Sequence, residues 1–256
     1  MQIDTVRRGR VAAAALGTFL ATLSACGSPA PTHGPQGAHG LSASTAAADP
    51  ARIPGIGDRL YRRIPAGSRQ VVAVYGERRD SAVSRVVLYT RQGAHWRTVG
   101  EWPAHNGRRG WTAHHHEGDQ RSPSGVFTLT DAGGVLADPG TRLPYDQARA
   151  YAPPAEWDEA HQHDFDYVIA IDYNRVKGTP PRDATRPWGT DRGGGIWLHM
   201  DHGSGTSACV SVSRKAMEVL LRTLDPAGRP VVVMGDRAAL TDQGRPRTGG
   251  GPPPSR

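Results

Sequence analysis

Short runs of β-branched and aromatic residues, separated by polar or glycine-bearing breaks, recur through the middle of the chain. QVVAVYG at 70–76, SRVVLYTR at 84–91 and HWRTVGEW at 95–102 follow one another closely enough to predict a meander of strands. GVFTLTD at 125–131, DYVIAIDYN at 166–174, GIWLH at 195–199, ACVSV at 208–212 and PVVVMG at 230–235 continue the theme. One stretch changes period. Met217, Leu220, Leu221 and Leu224 recur at i, i+3, i+4 and i+7 and so form one helical stripe. Ser213 stands where it can cap that helix, and Asp225-Pro226-Ala227-Gly228 where it can stop it. The pattern predicts a mostly-β domain of mixed sheets with one packed helix.

The two ends read differently. Residues 1–25 carry Arg7, Arg8 and Arg10 ahead of an apolar run at 11–23, a secretory signal too short to read as a membrane span. Leu23-Ser24-Ala25-Cys26 then has the form of a lipobox, in which cleavage leaves Cys26 as the first residue, with a lipid on its sulfur. Arg7-Arg8 also fits the start of a twin-arginine signal, without the rest of that motif. Residues 26–52 are small, polar and rich in Pro, Gly and Ala, as suits a flexible tether. Residues 238–256, ending QGRPRTGGGPPPSR, bury too little apolar surface to order themselves and read as a disordered tail. The folded domain is expected at 53–237. The expected location is the cell envelope, with the lipid anchor holding the protein on the outer face of the cytoplasmic membrane.

Charge narrows the partners. The net charge is +7, and removing residues 1–25 takes away three Arg and one Asp, which leaves +5. For an exported protein this implies solubility and attraction to anionic envelope polymers, and nothing in the chain resembles a nucleic-acid module. The sequence gives no indication of oligomeric state.

The chain has two cysteines. If Cys26 carries lipid, Cys209 has no disulfide partner in the mature chain and is an unpaired thiol outside the membrane, either reactive or buried and inert. A reactive thiol needs a base, and no histidine follows Cys209, so the base comes from upstream. His199 ends a predicted strand across a loop containing Gly203 and Gly205. Two strand ends joined by such a loop can bring imidazole and thiol together, with backbone N–H groups near the cysteine available to an oxyanion. A thiolate populated near neutral pH is expected of this pair. His202 is a rival base.

These residues resemble a known family. His199, the glycine-bearing loop and Thr206-Ser207-Ala208-Cys209 are similar to the signature of YkuD-type L,D-transpeptidases, a histidine followed by Ser/Thr-x-Gly-Cys. EGDQRSPSGVF at 117–127 is similar to that family's Gly-Asp...Thr-Pro-x-Gly-x-Phe stretch, with weaker echoes in Asn106-Gly107 and Tyr173-Asn174. The resemblance covers roughly residues 68–236. It implies a YkuD-like β-sandwich and a peptidoglycan tetrapeptide stem as substrate. A thioester would form on Cys209, terminal D-alanine would leave, and the acyl group would pass to an amine on a neighbouring stem. It further implies His199 as base and then acid, oriented by a backbone carbonyl, with no metal and no organic cofactor. Gly203, Thr206, Ser207, Ala208 and Ser211 would line the substrate and oxyanion region. Ala208 stands where the family has glycine, Ser207 where a second histidine is common, and Ser211 where arginine or asparagine often follows. At Ala208 either the backbone has moved to negative φ or strain is carried. Hydrolysis by an L,D-carboxypeptidase and non-catalytic peptidoglycan binding are the alternatives.

Other conspicuous residues read more plainly. Adjacent side chains of His114-His115-His116 alternate in direction, which argues against one shared metal. His161-Gln162-His163-Asp164 reads as a solvated loop. Trp102, Trp111, Trp157 and Trp188 read as core or loop packing, and Trp197 should share a side of its strand with His199.

Overall fold

The computed structural model describes residues 49–242. The expected signal, Cys26, most of the expected tether and the end of the expected tail lie outside them. The first strands are β1 (Gln70–Gly76), β2 (Val83–Gln92) and β3 (His95–His105), joined as the expected antiparallel meander. Short strands follow: β4 (Trp111–Thr112), β5 (Ser122–Pro123), β6 (Gly125–Thr128), β7 (Ala132–Gly134), β8 (Tyr145–Gln147) and β9 (Val168–Ala170). The last three are β10 (Trp197–Met200), β11 (Val210–Val212) and β12 (Val231–Asp236). The helices are α1 (Asp58–Tyr61), α2 (Arg214–Thr223) and α3 (Arg237–Thr241).

Ten strands form one mixed sheet in the order β6-β12-β1-β2-β3-β11-β10-β9-β7-β8, while β4 and β5 pair separately. The β1–β12, β10–β11 and β7–β8 pairs are parallel. Strands far apart in that order share one core: Val72 and Val232 meet Ile169, Leu198 and Val210 in a single cluster. A flat sheet could not bring them together, so the sheet curls around its core. The helix α2 packs there, with Met217, Leu220, Leu221 and Leu224 all fully buried as the stripe predicts, each worth about 1.5–3 kcal/mol. Ser213 caps it, accepting from Ala216 N at 3.3 Å.

The other face of β1 and β12 carries a second cluster. Val71, Ala73, Val231 and Val233 point to it, alternating with the residues that face the main core. Ile53, Leu60 and Leu240 cover it, the last two from α1 and α3. The domain boundaries therefore run wider than 53–237. Pro50 O accepts from Trp96 N at 2.8 Å, and Asp236 Oδ1 accepts from Ala238 N and Ala239 N at 2.9 and 3.1 Å to start α3. Burial of Leu240 holds in place a segment whose composition alone reads as tail. Among the described residues no helix is long and apolar enough to cross a membrane.

Candidate active site

Parallel pairing of β10 with β11 sets Leu198 beside Val210, His199 beside Ser211 and Met200 beside Val212. Paired residues share a face of the sheet, so His199, Ser211 and, two residues before it, Cys209 lie on one side. Trp197 N confirms the step, donating to Cys209 Sγ at 3.4 Å. A parallel crossover usually takes a longer connection than residues 201–209 provide. It succeeds here because both strands are short and the return path is braced. Gly203 turns the loop at φ 81°, Thr206 N donates to Asn106 O at 3.0 Å, and Arg108 N donates to Thr206 O at 2.8 Å.

A second brace comes from the 117–127 stretch. Ser122 Oγ accepts from Gly107 N at 2.9 Å and lies 2.6 Å, as donor, from Ala208 O. Gly107 has to be glycine for this approach, since a Cβ there would fall 2.6 Å from Gln120 O and 2.7 Å from Ser122 N. Thr206 Oγ1 donates to Cys209 O at 2.7 Å.

Cys209 and His199 line one cleft of about 360 Å³, together with Thr206, Ser207, His202, Arg108 and Asp164. His199 is buried, and its Nδ1 lies 2.7 Å from Met200 O. That contact fixes Nδ1 as the protonated nitrogen and leaves Nε2 a lone pair, as a base requires. Phe165 packs edge-on against both His199 and Trp197, so the two rings share a side as expected. Burial lowers the His199 pKa, against an opposing pull from the Asp164 carboxylate and the Met200 carbonyl, so the free imidazole is neutral at pH 7.

The thiol behaves differently from the expectation. Burial pushes Cys209 up to about 11, only partly offset by the Trp197 N–H, and Asp164 adds to the rise. A thiolate is therefore scarce at neutral pH. At rest the thiol lies 3.6 Å, as donor, from Gly195 O and the imidazole is neutral, so the proton has to leave as the sulfur attacks.

The remaining expected residues divide. Thr206 and Ser207 line the cleft, whereas Gly203, Ala208 and Ser211 do not. Ser211 Oγ is fully buried and donates to Asp201 Oδ1 at 2.7 Å, and His105 Nδ1 lies 2.8 Å from the same oxygen. Burial alone would raise the Asp201 carboxyl, yet these partners hold it below its usual range. Ala208 packs in the main core, and among the described residues the non-glycine positions with positive φ are Gln120, Asn174 and Arg229. Its backbone has thus moved to negative φ, and the strain alternative fails. His202 lines the cleft too, but its Nδ1 is taken by Asp164 at 3.0 Å.

His161 and His163 pair with separate carboxylates, Asp164 and Asp166, each at 3.0 Å. The Asn106-Gly107 and Tyr173-Asn174 echoes prove to be braces. Asn174 Nδ2 donates to Gly189 O at 2.9 Å and its Oδ1 accepts from Trp188 N at 2.7 Å, which shapes the loop ahead of β10. Trp111 is core, Trp157 is half-exposed on the cleft rim, and Trp188 is 55% exposed. Arg108 carries no sequence signal of its own, although it directly follows Asn106-Gly107, and Asp164, expected in a solvated loop, is buried.

Comparison with known proteins agrees on the domain. The family of YkuD L,D-transpeptidase catalytic domains matches residues 80–233. Among solved structures, Bd1075 of Bdellovibrio bacteriovorus is similar at 19% identity and a TM-score of 0.38, over 72% of this chain and 52% of that one. The helical cell shape determining protein Pgp2 of Campylobacter jejuni is similar at 15% identity and a TM-score of 0.36, over 64% and 47%. This chain spans about half the length of those two. No curated protein matches.

Proposed function

Because this chain belongs to the YkuD family of L,D-transpeptidase catalytic domains, we propose that it is a cysteine acyltransferase acting on peptidoglycan stem peptides. The observation that carries the reading is the shared cleft of Cys209 and His199, with His199 Nδ1 committed to Met200 O and Nε2 left as the base. As Cys209 Sγ attacks the carbonyl carbon of the diamino acid in a tetrapeptide stem, its proton passes to His199 Nε2. The imidazolium returns that proton to the departing amine of terminal D-alanine, and a thioester remains. An amine of a neighbouring stem then attacks the thioester, gives its proton to His199, and the released sulfur takes it back. Backbone N–H groups beside Cys209 and the Arg108 guanidinium are suited to the developing oxyanion and to a stem carboxylate. A lipid on Cys26 would hold the enzyme at the outer face of the cytoplasmic membrane, where this substrate lies.

Carbapenems acylate the nucleophile in the family this chain resembles, and they test the assignment without a known acceptor. Intact-protein mass spectrometry should show one adduct, mapped to Cys209, absent from Cys209→Ala and formed much more slowly by His199→Ala than by His202→Ala. A folded protein whose thiol reacts with a small alkylating agent yet takes no carbapenem would overturn the acyl-transfer reading in favour of peptidoglycan binding. With stem peptides, cross-linked dimers indicate transfer and shortened tripeptides alone indicate hydrolysis.

A further inference from the structure

On one wall of the cleft, side chains from separate stretches of chain converge in a way that acyl transfer does not use. A 3-10 turn at Glu159–His161 delivers His161, and Asp164 follows, its own backbone carbonyl accepting from Met200 N at 2.9 Å at the end of β10. His202 arrives just beyond that strand. His161 Nδ1 and His202 Nδ1 each lie 3.0 Å from the same oxygen, Asp164 Oδ2, and one ligand atom from each of the three residues falls within 4.8 Å of the others.

The cluster sets two imidazoles around one buried carboxylate. The Asp164 side chain is 5% exposed, and among the described residues its ion-pair partners are these two imidazoles, with no guanidinium or ammonium. Burying a carboxylate is costly unless a positive charge compensates it. The His202 side chain is 4% exposed, and its Nε2 has no hydrogen-bond partner. Both imidazoles present Nδ1 to one point, and one carboxylate oxygen completes a set of two nitrogens and an oxygen. This donor set suits zinc and its neighbours, and three protein ligands leave a fourth position open. Metal–ligand bonds of about 2.0–2.2 Å at tetrahedral angles separate neighbouring ligand atoms by about 3.3–3.6 Å. Two of the separations are 3.0 Å and none exceeds 4.8 Å, so shifts of about 1 Å would close the site around an ion.

We propose that His161, Asp164 and His202 form a site for a divalent transition-metal ion of the zinc class, with its open position toward the cleft that holds Cys209. The ion would take the place between the two Nδ1 atoms and Asp164 Oδ2 that these contacts now span. Cys209 is not one of its ligands.

The test is metal binding by the purified full chain after chelator stripping, read by Co²⁺ absorption in the visible and by Zn²⁺ competition against a chromophoric chelator. It does not depend on whether Cys209 is a nucleophile. One equivalent should bind, and Cys209→Ala and the double variant His114→Ala/His116→Ala should bind equally well. His161→Ala and His202→Ala should each weaken binding by more than the 10–100-fold typical of a lost outer-shell partner. Circular dichroism checks that the variants fold, and His161, at 31% side-chain exposure, is the safer of the two. No saturable binding, binding unchanged in a folded His161→Ala, or binding lost in Cys209→Ala would each overturn the proposal. The last two would point to adventitious histidines or to the thiol.

Discussion

The raised Cys209 thiol makes a quantitative prediction about its reactivity. Cys26→Ser leaves Cys209 as the sole thiol of the chain. At pH 7.5 a free cysteine with a pKa of about 8.5 is about 9% thiolate. A thiol pushed up to about 11 is only about 0.03% ionised at that pH, roughly 300-fold less. A more basic thiolate is intrinsically more nucleophilic, and a Brønsted coefficient of about 0.45 over 2.5 units restores about 13-fold. Alkylation by iodoacetamide should therefore run about 20-fold slower than for a free cysteine peptide at pH 7.5. It should rise close to tenfold per pH unit to at least pH 10, without a plateau. The proton does not escape this by moving to His199. With the imidazole lowered by burial and the thiol raised to about 11, the neutral forms are favoured over thiolate and imidazolium. The rates are read by mass spectrometry between pH 6 and 10 in the presence of a chelator. A plateau below pH 8, or a rate at pH 7.5 equal to that of the free peptide, would refute the argument and establish a resting ion pair.

Two further outcomes follow from positions already described. Ala208→Gly removes a buried methyl at a residue of negative φ and frees the unfolded chain, so it should cost about 1–2 kcal/mol of stability in urea unfolding, without raising turnover. Faster turnover at unchanged stability would restore the strain explanation. Cys26→Ser should move the full chain from the membrane fraction to the soluble one, and unchanged fractionation would count against the lipid anchor.

The long strands were legible because β1, β2 and β3 each carry enough alternating or β-branched residues to declare a period. The same holds for α2, whose stripe needs no partner to be recognised. By contrast, β4, β5, β7 and β8 have two or three residues each and include Pro123, Gly133 and Gly134, which favour no strand. They exist because a neighbour pairs with them: Trp111 with Ser122, and Ala132 with both Tyr145 and Ile169. The site divides the same way. Cys209 and His199 could be found from a strand–loop–strand spacing and the motif around it. The height of the thiol pKa could not, since it comes from burial, nor could Asp164, which sits opposite His202 only after the chain between β8 and β9 folds back to β10.

The Glu117–Phe127 motif lies far from Cys209 in sequence, and the structure shows how the two act together. A thiol that is rarely ionised cannot rely on a standing population of thiolate. Its reactivity depends on meeting the base and the carbonyl at the same moment, which makes misplacement more costly than for a free ion. The Cys209 backbone is accordingly held from two sides. Thr206 Oγ1 donates to its carbonyl at 2.7 Å from the crossover loop, and Ser122 Oγ approaches the Ala208 and Cys209 carbonyls at 2.6 and 3.2 Å from the second motif. Gly107, with no side chain, lets Ser122 come close enough, and Asn106 anchors Gly107 by donating from Nδ2 to Ser81 O at 2.9 Å. The second motif thus acts through position, fixing where the sulfur stands relative to His199 while touching neither the proton nor the thiol.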